Sequence, residues 1–298
     1  MPSPLRAGLK LLWRGARERG SAATAVAVPR RKLAVEHPSL AAEPQRVRRY
    51  LRATAGEALS LERGGRLLLP PAYAAVWEAS LALELLTLEG APFPARGLLH
   101  LGSELVSIRP LHAGERVRCR VELARAEPAR SGVRLELECR SWNAAGQLCQ
   151  ENRLMLLART RHPAAHARRA SARPTPAAVP EWVELARWTL GGGAGRRYAR
   201  ASGDYNPIHL WRWSARLAGF DRPILHGFCL EAMVAHALVE HRLGGDPTAL
   251  RRLRIDFRTP LVLPASARLL VDDAGRSFRV EDAARPTKRP FAEGEWAG

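Results

Sequence analysis

Two segments of the chain are apolar on nearly every side when they are drawn as helices. They are PAYAAVWEASLALELLTL, residues 71 to 88, and GFCLEAMVAHALVEHRL, residues 227 to 243. A helix of this kind cannot lie on a surface with one face in water, so the rest of the fold must surround it. The sequence therefore predicts two buried central helices, one in each half of the chain.

Three short similarities connect the two halves in the same order. RRYLRATAG at 48 to 56 resembles RRYARASGD at 196 to 204, and LPPAY at 69 to 73 aligns with DRPIL at 221 to 225. The proline and leucine of IRPL at 108 to 111 recur in FRTPL at 257 to 261. The separations are 148, 152 and 150 positions. Because they are nearly constant, we interpret the chain as a duplication of one unit of roughly 130 residues.

Each predicted central helix is followed by segments in which apolar and polar residues alternate, such as RVRCRVEL and RLELECR in the first half. A period of two is typical of half-buried antiparallel strands. The predicted fold class is α+β, with two antiparallel sheets that each wrap a central helix. The predicted domains are a basic N-terminal arm at 1–34, a first unit at 35–160, a linker rich in Ala, Arg and Pro at 161–180, and a second unit at 181–298.

A dense polar motif, SGDYNPIHL at 202 to 210, precedes the second central helix, and AGFDRPILHG at 218 to 227 leads into that helix. Together these stretches resemble the hydratase signature of the MaoC-like dehydratases, the (R)-specific enoyl-CoA hydratase family. The resemblance is specific over this signature and weaker over the rest of the second half. The two-unit layout is similar to that of the double-hotdog members of the family, so the resemblance implies a double hotdog fold.

The resemblance also implies a reaction, the reversible hydration of a trans-2-enoyl thioester to an (R)-3-hydroxyacyl thioester. That reaction needs a base for water, an acid for C2 and a donor for the charge on the thioester oxygen. Asp204 and His209 are the predicted acid–base pair on one water, and the backbone N–H of Gly227 is the predicted oxyanion donor. The residues predicted to support the turn are Ser202, Gly203, Asn206 and Pro207. We expect no cofactor and no metal, and a substrate carried by coenzyme A or by acyl carrier protein.

The first half departs from this motif. It reads TAGEALSL at 54 to 61, where Gly56 or Glu57 stands near the aspartate position and no histidine follows. We therefore predict a degenerate first unit without catalytic function, which by resemblance would widen the tunnel for a long acyl chain. Two further histidines, His100 and His226, are interpreted as structural residues of the core or its rim.

The chain carries 47 Lys and Arg residues against 29 Asp and Glu, a formal net charge of +18. This charge raises the question of nucleic acid binding. No helix-turn-helix, zinc-finger or aromatic stacking pattern accompanies it, so we expect no nucleic acid partner. No stretch reaches the roughly 18 apolar residues of a membrane span. The four cysteines form no CxxC pair, as is typical of reduced thiols. We expect a cytoplasmic protein whose two halves pair as a pseudo-dimer.

Two other function classes stay open from the sequence alone. One is a hotdog protein that binds acyl thioesters without hydrating them, or that hydrolyses them as a thioesterase. The other is a basic nucleic-acid-binding protein. The presence of both Asp204 and His209 favours the hydratase over either alternative. The acyl-chain length, the thiol carrier, the direction of the reaction and further self-association are open as well.

Overall fold

The computed structural model describes residues 33–88, 91, 98–129, 131–159, 181–274, 276–286 and 289–298. The basic arm up to residue 32 and the predicted linker at 161–180 lie outside the described residues. Within the described ranges, no helix is both long enough and apolar enough to cross a membrane.

The first half begins with a strand and a helix and ends with three long strands. Its helices are α1 (Pro44–Ala53) and α2 (Ala75–Leu86), the second preceded by a 3₁₀ turn at Pro71–Ala74. Its long strands are β1 (Ala34–Leu40), β4 (Leu98–Ser107), β5 (Val117–Ala129), β6 (Gly132–Trp142) and β7 (Leu148–Arg159). A short hairpin of β2 (Glu62–Arg63) and β3 (Arg66–Leu67) lies outside the main sheet.

The second half repeats this arrangement with one additional helix. Its helices are α3 (Ala194–Ser202), α4 (Arg212–Leu217) and α5 (Gly227–Arg242), with a 3₁₀ turn at Pro207–His209. Its strands are β8 (Val183–Leu190), β9 (Arg252–Phe257), β10 (Ala265–Asp272), β11 (Ser277–Asp282) and β12 (Ala292–Ala297).

The strands of both halves belong to one ten-stranded antiparallel sheet, in the order β1-β5-β6-β7-β4-β9-β12-β11-β10-β8. Read outward from its centre, each half therefore has the same strand order, in agreement with the predicted duplication. The two predicted sheets are continuous because β4 pairs with β9, for example Gly102 with Asp256 and Leu105 with Leu253. Each sheet would otherwise expose the backbone groups of an edge strand at this position. We call this pairing the β4–β9 junction.

The predicted central helices α2 and α5 are both buried. Each carries a buried glutamate that is held by a strand of the first half. Glu78 on α2 accepts hydrogen bonds from Asn152 Nδ2 at 2.8 and 3.0 Å, and Glu231 on α5 accepts one from Ser103 Oγ at 2.6 Å. Burial raises the pKa of Glu78 to about 8 and that of Glu231 to about 7. The Ser103–Glu231 bond fixes α5 against β4, across the two halves of the chain.

Candidate active site

The predicted motif begins at the end of α3, where the helix stops in a left-handed turn. Gly203 has φ of 88°, a conformation that favours glycine, and its N–H donates to the Ala199 carbonyl at 2.8 Å. Ser202 Oγ donates to the Tyr198 carbonyl at 2.9 Å and accepts from the Asp204 N–H at 3.1 Å. These two residues therefore determine where the chain leaves the helix and how Asp204 enters the site.

The chain from Asp204 to His209 is held by its own side chains. Asp204 Oδ1 accepts from the Asn206 N–H at 3.1 Å, and Asn206 Oδ1 caps the following 3₁₀ turn by accepting from the Ile208 N–H at 3.4 Å. Pro207 occupies the first position of that turn, where its fixed φ suits the backbone. Of the predicted support residues, Ser202 and Gly203 thus form the backbone that leads into Asp204, and Asn206 and Pro207 form the turn between Asp204 and His209.

The His209 ring has a defined orientation. Its Nδ1 lies 2.8 Å from the Ile224 carbonyl, an acceptor, so Nδ1 carries the proton in the neutral ring. No hydrogen bond to Nε2 occurs among the described residues, which leaves its lone pair available to a ligand or water. Burial lowers the pKa of His209, while the charge of Asp204 and the bond to Ile224 act in the opposite direction. The neutral ring with an accessible lone pair is the form that a general base requires.

His226 contacts both members of the predicted acid–base pair. It is 1% exposed, its ring stacks on that of His209 with centroids 3.8 Å apart, and its Nε2 donates to the Asp204 carbonyl at 3.1 Å. Burial lowers the pKa of His226 well below its ordinary value. Donor atoms of Asp204, His209 and His226 all lie within 4.8 Å of one another, a spacing that a cation could also use. The absence of a metal therefore stays a prediction.

Gly227 is the first residue of α5 and follows His226 directly. Its N–H has no hydrogen-bond partner among the described residues, as expected for a helix N-terminus. A Cβ atom at this position would lie 2.6 Å from His100 Nδ1 and 2.9 Å from Phe257 Cε2, closer than side chains normally approach. Only glycine fits here without a shift of the His100 or Phe257 ring.

The first half supplies side chains to this region. Arg46 on α1 donates to the carbonyls of Ala201 and Ser202 at 2.9 and 2.7 Å, which closes the last turn of α3 just before Asp204. His100 on β4 contacts the start of α5. Arg46 is not among the site residues predicted from the sequence, and His100 was interpreted as a residue of the core or its rim. No local pattern distinguishes either residue, because each reaches the motif only through the folding of the two halves together.

The first half has no second copy of the acid–base pair within the described residues. Glu57, at the position nearest to that of the aspartate, is exposed. Gly56 lies directly against the His236 ring, where any side chain at residue 56 would collide with Nδ1. The corresponding space is therefore filled by a histidine from α5.

A family model described as MaoC like domain matches residues 189–282. This segment includes α3, the Asp204–His209 turn and the whole of α5. The second half of the chain carries a MaoC-like domain. The match lies wholly within the second half, and the first half shares the strand order of that domain.

Two curated relatives extend beyond the MaoC-like domain. The chain is 30% identical over 199 residues to a protein of Arabidopsis thaliana named peroxisomal enoyl-CoA hydratase 2, covering 63% of this chain and 64% of that one. It is 28% identical over 267 residues to a protein of Mycobacterium tuberculosis named 3-hydroxyacyl-thioester dehydratase X, covering 87% and 86%.

The crystal structure of HtdX from Mycobacterium tuberculosis is similar over 89% of this chain and 99% of its own, with a TM-score of 0.70 and 24% identity. At 24% identity, this structural similarity shows that the two proteins share a fold and shows nothing about function. Together with the repeated strand order around two central helices, it confirms the predicted class: the fold is a double hotdog, with the MaoC-like domain as its second half.

Proposed function

We propose that the chain is a hydro-lyase that adds water to trans-2-enoyl thioesters and removes it from (R)-3-hydroxyacyl thioesters. The observation that carries this proposal is the orientation of His209. Its Nδ1 is engaged by the Ile224 carbonyl, and a ring nitrogen lies within 4.8 Å of the Asp204 carboxylate. The Asp204 side chain is 17% exposed, so water can reach the pair. A base and a carboxylate thus lie close enough to share one water. The N–H of Gly227, which follows His226 directly in the chain, is the proposed oxyanion donor.

In the proposed hydration, the water oxygen forms a bond to C3 while His209 Nε2 takes one of its protons. The Asp204 carboxylate accepts the other hydrogen bond of the water and orients it. The electrons of the C2–C3 double bond move towards the thioester carbonyl, and the Gly227 N–H stabilises the negative charge on its oxygen. C2 then takes a proton from the acid–base pair, which returns to its starting state. Dehydration follows the same steps in reverse.

The names of the relatives support a single reaction read in two directions. An enoyl-CoA hydratase adds water, and a 3-hydroxyacyl-thioester dehydratase removes it. These names support hydratase and dehydratase activity on thioesters. The (R) configuration is proposed from the resemblance of the Asp204–Gly227 region to the (R)-specific hydratase signature. Coenzyme A and acyl carrier protein are both proposed as carriers, since each presents the same thioester.

We further propose a division of labour between the halves. The second, residues 181–298, would carry the chemistry, and the first, residues 35–160, would hold it in place through contacts such as those of Arg46. A cytoplasmic location also stays a proposal, because the Arabidopsis relative is named peroxisomal.

The purified 298-residue chain is expected to consume crotonyl-CoA and to form (R)-3-hydroxybutyryl-CoA. The loss of absorbance at the enoyl-thioester band measures the rate, and chiral analysis identifies the product. EDTA should leave the rate unchanged, because the proposed steps use only side chains, backbone and water. A protein that leaves enoyl-CoAs of all lengths unchanged, in both directions, would support the binding-only alternative. Release of free coenzyme A would indicate a thioesterase, and an (S) product would contradict the family-based stereochemistry.

The pH dependence of hydration tests the role of His209. A protonated ring cannot accept a proton from water, so activity is lost as the pH falls through the pKa of His209. Burial lowers that pKa below the ordinary value of 6.5. We therefore expect kcat/KM to stay constant as the pH falls to 6.5 and to decrease only at lower pH. Rates measured across this range would test the assignment. If kcat/KM already began to fall at a pH above about 7 as the solution was made more acidic, a buried, neutral histidine could not be the base.

A further inference from the structure

His100 reaches α5 because β4 is irregular at this point. Opposite β7, His100 pairs with Leu156 and Gly102 pairs with Met155, so Leu101 is an extra residue in β4. In a regular strand, residues 100 and 102 would share a face. The extra residue changes which side chains point to each face of β4. His100 and Ser103 therefore both contact α5, His100 at Gly227 and Ser103 at Glu231. Bulges of this kind often redirect a side chain beside an active site.

The ring of His100 lies between two aromatic side chains of the second half. Its centroid is 4.4 Å from that of Phe228 and 4.9 Å from that of Phe257. These two contacts fix the plane of the ring next to the first turn of α5. The charges of Asp204 and His209 also influence the pKa of His100, after burial and the backbone of Gly102.

Both ring nitrogens of His100 are buried, and neither forms a hydrogen bond of ordinary geometry within the described residues. The backbone of Gly102, two residues further along β4, interacts with the ring and partly offsets the effect of burial on its pKa. Burial lowers the pKa of His100 to about 4, so the ring is neutral near pH 7 and carries one N–H. A buried N–H without an acceptor destabilises a fold by roughly 1–3 kcal/mol. An acceptor that enters the site with the substrate would satisfy this donor, and because Nδ1 has almost no accessible surface in this structure, the ring must turn for the two to meet.

We propose that His100 donates a second hydrogen bond, from Nδ1, to the thioester oxygen that the Gly227 N–H also contacts. Nδ1 is the ring atom adjacent to Gly227, at 2.6 Å from the position that a Cβ there would occupy. The proposal rests on the proposed hydratase function and adds a catalytic residue from the half that lacks the acid–base pair. No proton is transferred by His100: the N–H stays on the ring and stabilises charge on the oxygen.

Two variants whose side chains at residue 100 have nearly the same shape can distinguish a hydrogen-bonding role of His100 from a packing role. His100→Asn places an amide donor at about the position of Nδ1, whereas His100→Leu places a methyl group there. Removing one oxyanion donor typically lowers kcat by about 10²–10³-fold. We therefore expect His100→Leu to lower kcat for crotonyl-CoA by about 10²-fold, with KM changed far less, and His100→Asn to keep at least about a tenth of the activity. His241→Asn, on the exposed end of α5, is the control and should change neither constant.

A binding measurement supplies a readout that loss of packing would not produce. Butyryl-CoA has the thioester oxygen and cannot be hydrated, while the thioether S-butyl-CoA lacks that oxygen. We expect His100→Leu to bind butyryl-CoA about 2- to 10-fold more weakly than His100→Asn does, the effect of one neutral hydrogen bond. The two variants should bind S-butyl-CoA equally. Calorimetric titration of both variants measures these constants, and thermal unfolding verifies that both are folded.

Equal kcat values for the folded His100→Asn and His100→Leu variants would overturn the proposal. So would a difference between them that is the same for butyryl-CoA and for S-butyl-CoA. These results are distinguishable from a failure of the hydratase function itself. In that case the unmodified protein would be inactive, or Asp204→Asn would be as active as the unmodified protein.

Discussion

Asp204→Asn and His209→Gln are each expected to lower kcat/KM for crotonyl-CoA by about 10²–10⁴-fold, the usual contribution of a positioned acid or base. Each substitution keeps the shape and part of the hydrogen bonding, including a side-chain oxygen at residue 204 for the Asn206 N–H. The double variant should be little worse than either single one. Residues that act together on one water are strongly non-additive, because removing either already abolishes the shared step.

Glu57→Gln is the matched control for these variants. It is an exposed carboxylate of the first half, near the position that corresponds to the aspartate, and it has no histidine partner in the motif. Its kcat should equal that of the unmodified protein in the same assay. A large loss of kcat from Glu57→Gln together with a mild loss from Asp204→Asn would mean that the active site lies in the first half and not in the second. Additive losses in the double variant would mean that the two residues act in separate steps.

Gly227→Ala is expected to lower kcat/KM by at least about 10²-fold, since small displacements at a reacting centre have effects of this size. The added methyl group would lie 2.6 Å from His100 Nδ1 and 2.9 Å from Phe257 Cε2, so both rings must move. It would also stand beside the N–H that is proposed to bind the thioester oxygen. The same crowding should lower the free energy of unfolding by about 1–3 kcal/mol, as is usual for overpacked sites. Urea unfolding and the crotonyl-CoA assay measure the two effects.

Gly192→Ala is the control for Gly227→Ala. Gly192 lies in the turn before α3, and a Cβ there would meet no atom within 4 Å. The substitution should change neither stability nor activity appreciably. If Gly227→Ala kept full activity, the claim that the substrate needs a close approach to this backbone could not be maintained, although alanine would still supply the N–H.

The local chemistry of the site follows from the sequence more readily than its surroundings do. The turn between Asp204 and His209 uses residues with strong backbone preferences at short range, so its form was predictable from Gly203, Asn206 and Pro207. The two buried helices were predictable for a similar reason, since a segment that is apolar on all sides has few stable positions in water.

The contacts between the halves were not predictable in this way. His100 and Gly227 are far apart in the sequence, and they meet because β4 pairs with β9 and because one extra residue in β4 changes its phase. Neither the choice of edge strand nor the position of a bulge leaves a clear periodic signal. His226 was interpreted as structural, and this role stays a prediction; the ring is buried and its Nε2 donates to the Asp204 carbonyl. Its stacking on His209 was not foreseen.

The β4–β9 junction has a consequence for how such a protein can change over generations. In a symmetric dimer of identical chains, every substitution appears twice, once on each side of the two-fold axis. Here the two sides of the junction belong to different stretches of one polypeptide, so a substitution appears once. One side could then lose its acid–base pair and acquire Arg46 and His100 without any matching change on the other. Joining two copies end to end thus turns a symmetric pair into two surfaces that selection can shape independently.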